Sequence, residues 1–341
     1  MKKLVLLFFC FAFFSFQTIN SIFFVPKNWP QPHYNFKNNK LDSSKILLGR
    51  VLFYDPILSA NNTISCANCH SPFSAFTHID HPLSHGIFDS IGNRNSIALM
   101  NLAWQNTFMW DGSINHLDMQ ALAPLSHPKE MASSIDSLVQ KVNKSKLYKN
   151  LFYNAFGDSL ASGEKLLKSM SQFMLTLVSS NSKYDKVKAG KEVFNSQEQN
   201  GYYSYKKNCS ACHTEPLFSN YEFANNGLKL DTSLKDYGRF SVTKNPNDSL
   251  TFKIPTLRNI EYTYPYMHDG RFAKLMQVIN HYTSGIERNR TLHSKLQNPI
   301  VLTEVEKVDL ISFLLTLSDR EFLFNKKFAF PKEVYFVTGN K

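Results

Sequence analysis

The sequence predicts a mainly α-helical protein in which two halves carry the same short cysteine motif. The motif Cys-x-x-Cys-His occurs at residues 66–70 and again at residues 209–213. Apolar residues recur at helical spacing in several segments, and no segment shows the sustained apolar–polar alternation that is typical of strands. A chain of 341 residues is long enough for two domains. We therefore expect two helical domains with long loops, one for each motif.

The two motifs have the spacing at which c-type haem is attached to a protein. Their thiols would bond to the vinyl groups of a haem, and the adjacent histidine would bind its iron. The residues concerned are Cys66, Cys69 and His70 in the first motif and Cys209, Cys212 and His213 in the second. A structural disulfide, a thioredoxin-like dithiol and half of a zinc site are the alternatives. Zinc ligand pairs lie much closer together in sequence, so two separate covalent haems fit the pattern better.

The first 20 residues are predicted to be a signal peptide or an N-terminal anchor. Lys2 and Lys3 precede a largely apolar run over residues 4–16, which is too short for a comfortable membrane span. Cys10 lies inside this run, but large side chains precede it where a lipid-anchored cysteine needs small ones. Because bacteria attach c-type haem outside the cytoplasm, we expect export to the periplasm.

The charge of the chain favours a protein partner over a nucleic acid. The formal net charge is +11, but the basic residues are scattered and form no long run. Binding to nucleic acid is therefore not expected. A basic surface would instead attract an acidic partner protein.

Two helices are predicted in detail. One covers residues 160–177, where apolar residues follow a helical period: Leu160, Leu166, Leu167, Met170, Phe173, Met174 and Leu177. The other begins at a capping box formed by Thr303 and Glu306 and runs through Leu317. Its predicted apolar face includes Val305, Val308, Ile311 and Leu315. The polar stretch over residues 181–201 is predicted to contain the domain boundary.

Further motifs, in order along the chain, resemble those of the bacterial di-haem cytochrome c peroxidase family. This family includes MauG-type enzymes, which share the scaffold but oxidise a protein tryptophan. The resemblance covers roughly residues 45–320, and its motifs lie at residues 48–59, 66–70, 108–112, 130–131, 209–213, 255–259 and 265–270. It implies two cytochrome c-like haem domains whose haem sites face the domain interface.

The polar stretch over residues 181–201 gives the predicted domain limits, and the resemblance implies the role of each domain. A peroxidatic haem domain would span residues 21–185, and an electron-transfer haem domain would span residues 186–341. The tail over residues 322–341 would pack back on the first domain.

The matching positions imply roles in catalysis. Trp110 matches a tryptophan that lies between the two haems and helps electrons pass. Gln120 and Glu130 match the pair that lines the open face of the peroxidatic haem, and Pro124 matches a proline packed in the same pocket. A carboxylate at this place can move a proton from the near oxygen of peroxide to the far one, so that water leaves when the O–O bond breaks.

A calcium site between the two haem domains is implied as well. Asn95 matches a side-chain ligand of Ca²⁺, and Thr263 and Pro265 match its backbone-carbonyl ligands. Ligation by oxygen alone suits calcium.

The loop after the first motif departs from the family pattern. Typical members read Ser-x-Gly-His, and that histidine closes the resting first haem; here Ile87 occupies the aligned position. An alkyl side chain cannot bind iron, so the first haem is expected to be five-coordinate or water-bound at rest, with no need for reductive priming. Ligation by His85 after a shift of the loop is the alternative. His78 and His81, in the same loop, are expected to be solvated.

The second haem also departs from the typical pattern at its distal ligand. Typical members have methionine there, whereas this chain has Tyr282 and in this resembles MauG-type enzymes. A phenolate ligand favours ferric iron and lowers the reduction potential, whereas methionine raises it. Met267, Met276 and His281 are the neighbouring alternatives.

Three functions follow from these features. The first is a periplasmic peroxidase that reduces hydrogen peroxide with electrons from a small c-type cytochrome or a cupredoxin. The second is a MauG-like oxidase of a protein or small-molecule substrate, favoured by Tyr282. The third is an electron carrier without catalysis, which Glu130 and Gln120 disfavour because a carrier needs no proton donor beside its iron. Many family members dimerise, so a homodimer is an expectation for each function.

Overall fold

The computed structural model describes residues 23–337, and this part of the chain is mainly helical. The predicted signal peptide or anchor, with Cys10, lies outside the described residues. The half with the first motif contains α1 (Ser43–Tyr54), α2 (Cys66–Cys69), α3 (Leu117–Gln120), α4 (Leu122–Ser126), α5 (Ile135–Lys144), α6 (Lys146–Phe156) and α7 (Gly163–Leu175). The other half contains α8 (Lys183–Lys188), α9 (Ser196–Asn208), α10 (Phe240–Thr243), α11 (Leu275–Asn280), α12 (Glu304–Leu315), α13 (Arg320–Leu323) and α14 (Lys332–Val337).

Strand structure in the described residues is limited to one short antiparallel pair. Strand β1 (Phe223–Ala224) pairs with β2 (Phe252–Lys253), with Phe223 opposite Lys253. The expectation of a mainly helical fold with long loops is therefore confirmed. None of the helices within residues 23–337 combines the length and apolar character that a membrane span requires.

One helix pair is repeated in the two halves, and both pairs depend on a glycine. Helix α1 packs on α7, and a Cβ atom at Gly49 would lie 1.9 Å from the carbonyl oxygen of Ser169. Helix α9 packs on α12, and a Cβ atom at Gly201 would lie 1.9 Å from the carbonyl oxygen of Asp309. The absence of a side chain lets the backbones touch in each pair. The two halves therefore share one helix-packing arrangement.

The start of α12 agrees with the sequence, but its predicted apolar face is wrong. The Thr303 side chain accepts from the backbone N–H of Glu306, and the Glu306 side chain completes the capping box. Three residues of the predicted face are exposed instead: Val305 by 70%, Val308 by 46% and Leu315 by 41%. The buried side is formed by Asp309, Leu310, Phe313 and Leu314. The contact with Gly201 determines which side of α12 is buried, because only the Asp309 side of the helix can approach α9 so closely.

The start of α7 differs slightly from the prediction. The Ser162 side chain caps the helix by accepting from the backbone N–H of Lys165, so α7 begins at Gly163. Leu160 therefore precedes the helix and is 60% exposed rather than part of its apolar face. The other predicted members of this face are buried: Leu166, Leu167, Met170, Phe173, Met174 and Leu177.

The C-terminal segment lies against α1. Arg50 donates from Nε to the carbonyl oxygen of Ala329 across 2.7 Å and pairs with Glu333 at 2.9 Å. The Tyr54 hydroxyl donates to the carbonyl oxygen of Phe328 at 2.6 Å. The apolar core of the first half also includes Phe322, Leu323 and Phe328 from this segment. The described part of the C-terminal segment therefore packs on the first half.

The polar stretch over residues 181–201 contains helix α8 and the start of α9. Tyr184 of α8 is buried in the core of the second half, together with Tyr205 and Phe313. Two residues that follow the second motif, Leu217 and Tyr221, are buried in the core of the first half. The two halves are therefore interleaved at their contact.

Candidate active site

The first motif presents its histidine in a fixed orientation. Cys66 and Cys69 lie in the single turn of α2, and His70 follows it directly. The Nδ1 atom of His70 lies 2.6 Å from the carbonyl oxygen of Phe76, so that Nδ1 carries the proton and Nε2 is left as a possible ligand. Burial lowers the pKa of His70 to about 4, which keeps the imidazole neutral. A neutral, oriented imidazole is the form that binds a metal ion.

The second motif repeats this arrangement. The Nδ1 atom of His213 lies 3.1 Å from the carbonyl oxygen of Pro255 and 3.3 Å from that of Phe218. Burial again lowers the pKa of the histidine to about 4. Both motif histidines are therefore held by backbone carbonyl groups in the way that second-shell partners hold metal-binding histidines.

The four motif cysteines are free thiols in the structure, which disagrees with the disulfide alternative. Burial raises the pKa of Cys66 and of Cys209 to about 12 and that of Cys69 to about 11. Burial also raises the pKa of Cys212. Redox-active dithiols have the opposite property, a lowered thiol pKa. The thiols therefore suit covalent attachment of a group in an apolar pocket better than thioredoxin-like exchange.

The second motif opens into a cavity of about 250 Å³ whose lining is largely apolar. Both cysteines and the histidine of the motif line it, as haem attachment requires. Five residues predicted from sequence to serve the site line the same cavity: Asn95, Trp110, Thr263, Pro265 and Tyr282. This set combines residues from both halves of the chain. The cavity thus fits a c-type haem and lies where the two halves meet.

Tyr282 lies beside the second motif, in a turn of π-helix (His281–Gly285) that follows α11. Burial raises the pKa of Tyr282 to about 12; a hydrogen bond with the Asn226 side chain lowers it, and the nearby Cys209 and Cys212 raise it. A π-helical turn changes the direction of the following side chains and occurs often at functional sites. The structure therefore brings Tyr282 and His213 to one cavity.

The alternative ligands of the second haem differ in their positions. The sulfur of Met267 also lies in the cavity, where it accepts from Nδ2 of Asn226 at 3.4 Å. The Nε2 atom of His281 lies 3.0 Å from the carbonyl oxygen of Asn226, and His281 is buried away from the cavity lining. Met276 is not part of the lining either. Tyr282 and Met267 are thus the two candidates that share the cavity with the motif.

Trp110 is bound to the segment that carries the candidate calcium ligand. Its Nε1 atom donates to the carbonyl oxygen of Asn95 at 2.8 Å. The backbone N–H of Asn95 in turn donates to the carbonyl oxygen of His268 at 2.7 Å, across to the second half. Nδ2 of Asn95 donates to Pro82 at 2.9 Å. Asn95 and Trp110 therefore form one hydrogen-bonded unit at the contact between the halves.

A buried ion-pair group holds this unit in place. Arg94 donates from Nη1 to Asp111 at 2.6 Å and from Nε and Nη2 to Asp236 at 2.6 and 2.8 Å. Burial acts to raise the pKa of Asp236, but the bonds and charge of Arg94 lower it overall. Because Arg94 precedes Asn95 and Asp111 follows Trp110, the group fixes both segments against the second half.

Glu130 faces the first motif. It lies in the turn after α4 with a side chain that is 35% exposed. Burial raises the pKa of Glu130, and His127 acts to lower it. The charge of Glu130 acts in turn to raise the pKa of both Cys69 and Cys66, which shows that the carboxylate stands near this motif. The structure thus places a carboxyl group with a raised pKa beside the first candidate haem.

Gln120 and Pro124 belong to the same short segment. Gln120 ends α3 and is 7% exposed, with its Nε2 atom 3.9 Å from the sulfur of Met109. Pro124 lies in α4, and its carbonyl oxygen accepts from the backbone N–H of Met131 at 3.2 Å. This hydrogen bond ties α4 to the turn that holds Glu130. The three predicted pocket residues of the first haem therefore stand on one locally folded unit.

The loop that carries Ile87 packs directly on this unit. The backbone N–H of Ile87 donates to the carbonyl oxygen of Glu130 at 2.8 Å, and Ile87 is 3% exposed. A Cβ atom at Gly86 would lie 2.1 Å from the carbonyl oxygen of Lys129. The His85 ring is engaged elsewhere: its Nδ1 atom lies 2.7 Å from Asp89, and the ring stacks on His81 at 4.3 Å. The close backbone contact holds Ile87, rather than His85, against the Glu130 turn.

Sequence reasoning missed three residues near these sites. His127 stands three residues before Glu130, a spacing that could have drawn attention to it. Asn226 contacts Tyr282 and Met267, and nothing in the sequence signals this. Lys253 is 1% exposed and donates to Thr107, and burial lowers its pKa to about 7. Its burial follows from the folding of β2 against the Trp110 segment, which no local pattern predicts.

Comparison with known proteins gives consistent similarities. A family model for di-haem cytochrome c peroxidase matches residues 43–193. The methylamine utilization protein MauG of Methylorubrum extorquens is 33% identical over 302 residues, 86% of this chain and 82% of the relative. Cytochrome c551 peroxidase of Nitrosomonas europaea is 34% identical over 282 residues, 80% of this chain and 79% of the relative. The crystal structure of a MauG-like protein associated with microbial copper homeostasis is similar with a TM-score of 0.80 and 31% identity, and the match covers 90% of this chain and 98% of that one.

Proposed function

Because the chain belongs to the di-haem cytochrome c peroxidase family, we propose that it reduces hydrogen peroxide to water in the periplasm, with electrons from a small c-type cytochrome or cupredoxin. The observation that carries this proposal is the position of Glu130, a half-buried carboxyl group with a raised pKa beside the first haem motif. Neither an electron carrier nor a structural haem protein needs a proton-transfer group at this place.

The family implies haem c as cofactor, and the residues present fit two such groups. Each motif supplies two free thiols and a neutral histidine whose Nδ1 atom is held by backbone carbonyl groups. We assign a cytochrome c-like haem domain to each half, supported by the repeated glycine-dependent helix pair. When bound, the haem groups supply iron that takes up peroxide and exchanges electrons.

Glu130 performs the proton transfer in the proposed reaction. Its carboxylate accepts the proton of the near peroxide oxygen and returns it to the far oxygen, which leaves as water. A raised pKa suits this transfer, because the carboxylate then accepts the peroxide proton more readily than a carboxylate of ordinary pKa does. Gln120, buried on the same segment, would hold peroxide or water by hydrogen bonds from its amide.

Ile87 determines the resting state of the first site in this proposal. Its side chain has no atom that binds iron, and its backbone is hydrogen-bonded to the Glu130 turn. His85 is held by Asp89 and His81. This loop would therefore offer no side-chain ligand to the first iron, and the enzyme would need no reductive step before it meets peroxide.

Trp110 and Tyr282 serve the second haem. Trp110 lines the second cavity and is fixed by Asn95 and the Arg94 ion pairs. It would thus offer a rigid aromatic group for electron transfer between the two haem groups. Tyr282 and His213, which line the same cavity, would both hold the second iron. A Ca²⁺ ion held by Asn95, Thr263 and Pro265 would complete the contact between the halves with oxygen ligands.

A steady-state assay tests the proposed function. The holoprotein is mixed with hydrogen peroxide and a reduced small c-type cytochrome, and oxidation of the cytochrome is followed by its absorbance. We expect catalytic oxidation that requires peroxide. Oxidation of two equivalents of cytochrome for each hydrogen peroxide would agree with reduction of peroxide to water. Cytochrome oxidation that stops after one turnover would identify an electron carrier.

A MauG-like oxidase is the second candidate, and Tyr282 in the second cavity is the observation that favours it. A tyrosine ligand lowers the reduction potential and makes electron uptake from a cytochrome less favourable. Mass spectrometry of partner proteins after incubation with peroxide would reveal a covalently modified substrate. Such a product, together with slow cytochrome oxidation, would favour this second function.

A further inference from the structure

Reduction of one hydrogen peroxide to two waters consumes two electrons and two protons. The transfer that Glu130 performs between the two peroxide oxygens uses a proton of peroxide itself and adds none. Both additional protons must therefore come from solvent and reach Glu130, whose side chain is only 35% exposed. A side chain that contacts both solvent and Glu130 would provide this entry.

His127 is such a side chain. Its Nδ1 atom lies 3.7 Å from Oε1 of Glu130, and its side chain is 47% exposed. Histidine is the residue whose ordinary titration range includes neutral pH, so it exchanges protons readily with solvent. A small rotation of either side chain would bring the two atoms into hydrogen-bond distance.

The turn that carries both residues is rigid. The carbonyl oxygen of His127 accepts from the backbone N–H of Glu130 and from that of Ala132, each at 3.0 Å. Nδ1 of His127 accepts from the backbone N–H of Lys129 at 3.3 Å. This bond shows that the neutral ring carries its proton on Nε2 and keeps the Nδ1 lone pair on the Glu130 side.

Few other charged groups near this pair could exchange protons with Glu130. Lys129 stands between the two residues and is exposed. His85 and Asp89, on the loop that packs against Glu130, are bound to one another at 2.7 Å. The thiols of Cys66 and Cys69 are consumed when haem is attached. His127 is thus the titratable group that both contacts Glu130 and reaches solvent.

We propose that His127 relays protons from solvent to Glu130 during peroxide reduction. A proton from solvent binds Nδ1 of His127 and replaces the hydrogen bond from Lys129. The resulting N–H bond breaks as the proton passes to Oε1 of Glu130, and the imidazole returns to its neutral form. Two such transfers, with two electrons from the donor protein, balance the formation of two waters from one peroxide. This inference rests on the proposed peroxidase function.

The test compares His127→Gln with a matched control, His116→Gln. His116 has the same local geometry: its Nδ1 atom accepts from the backbone N–H of Asp118 at 3.2 Å, lies 3.9 Å from the Asp118 carboxylate, and the side chain is 53% exposed. Haem content and melting temperature of both variants are measured first. Cytochrome oxidation by peroxide is then followed from pH 5 to pH 8.

We expect His127→Gln to lose activity at neutral pH on the order of tenfold, less than the loss for a group that contacts the reacting atoms. Its pH profile flattens. The first absorbance change on mixing with peroxide keeps its rate, because that step needs no proton from solvent. His116→Gln keeps the wild-type profile. In a Glu130→Gln background the His127 substitution causes no further loss.

Two results would overturn the relay while the proposed function stands. One is an unchanged rate and pH profile in His127→Gln, and the other is a loss of the same size at every pH. If the wild-type holoprotein itself fails to reduce peroxide, the proposed function is wrong, and the relay is wrong with it.

Discussion

The indole nitrogen of Trp110 donates a hydrogen bond to the backbone oxygen of Asn95 across 2.8 Å. This bond joins the residue proposed to lie between the two haems to the residue proposed to bind calcium. Both residues line the cavity of the second motif, and both are held against the second half by Arg94 and its two aspartate partners. The proposed electron path and the contact between the halves therefore share these residues.

Substitution of Glu130 by glutamine should abolish most peroxide reduction. The amide keeps the size of the side chain but cannot accept and return a proton, so we expect kcat to fall by roughly 10²–10⁴-fold. Steady-state oxidation of a reduced cytochrome measures the effect. Glu164→Gln is the control, because Glu164 is 72% exposed on α7 and pairs only with Lys168 in the described residues. Equal activity of the two variants would remove Glu130 from the mechanism.

Substitution of Tyr282 by methionine should raise the reduction potential of the second haem. Methionine favours ferrous iron more than a phenolate does, and residue 282 shares the cavity with His213. Spectroelectrochemical titration of the two haem groups measures the shift. Tyr266→Phe is the control, since Tyr266 also lines the cavity but donates its hydroxyl proton to the carbonyl oxygen of Ile260 at 3.0 Å. An unchanged potential in Tyr282→Met would favour Met267 as the ligand.

Acidification should destabilise the protein partly through His268. Burial lowers the pKa of this histidine to about 4, and the nearby Asp269 and Asp236 only partly offset the effect. The unfolded chain binds a proton at His268 more readily than the folded chain does. The contribution of neutral His268 to the free energy of unfolding is therefore complete above about pH 6.5 and is lost as the pH falls towards 4. Melting temperatures of wild type and His268→Gln between pH 4 and pH 7 measure it. The variant should lose less stability on acidification, and parallel curves would contradict this assignment.

Substitution of Gly201 by alanine should destabilise the second half. The new Cβ atom would lie 1.9 Å from the carbonyl oxygen of Asp309, so α9 and α12 must move apart. We expect a cost of about 1–3 kcal/mol, despite the higher helix propensity of alanine. Ser204→Ala on the same helix is the control, because it adds no atom. Denaturant unfolding measures both variants, and equal stability would show that the helix pair tolerates a wider spacing.

Much of the fold was predictable because its signals are local. The cysteine motifs predicted where each candidate haem site lies, and the capping box of Thr303 predicted where α12 begins. The buried face of α12 could not be predicted in this way. It depends on Gly201 in another helix, and a helix with apolar residues on several sides gives no unique direction of packing.

In the candidate sites, too, local features were predictable from the sequence and long-range contacts were not. Glu130, Gln120 and Pro124 lie within one short segment, so their common location follows from the sequence order. The contact of Tyr282 with Asn226 and the burial of Lys253 depend on loops from distant parts of the chain. Such contacts are decided by tertiary packing, which periodicity and capping signals do not describe.

An electron paramagnetic resonance spectrum of the all-ferric holoprotein shows whether the first haem is open at rest and whether Tyr282 binds the second. We expect one high-spin signal, from a first haem that Ile87 leaves open, and one low-spin signal of the histidine–tyrosine type from the second. Such a spectrum would support a peroxidase that reacts without reductive priming. Two low-spin signals would show that both irons are closed at rest and would contradict an open first haem.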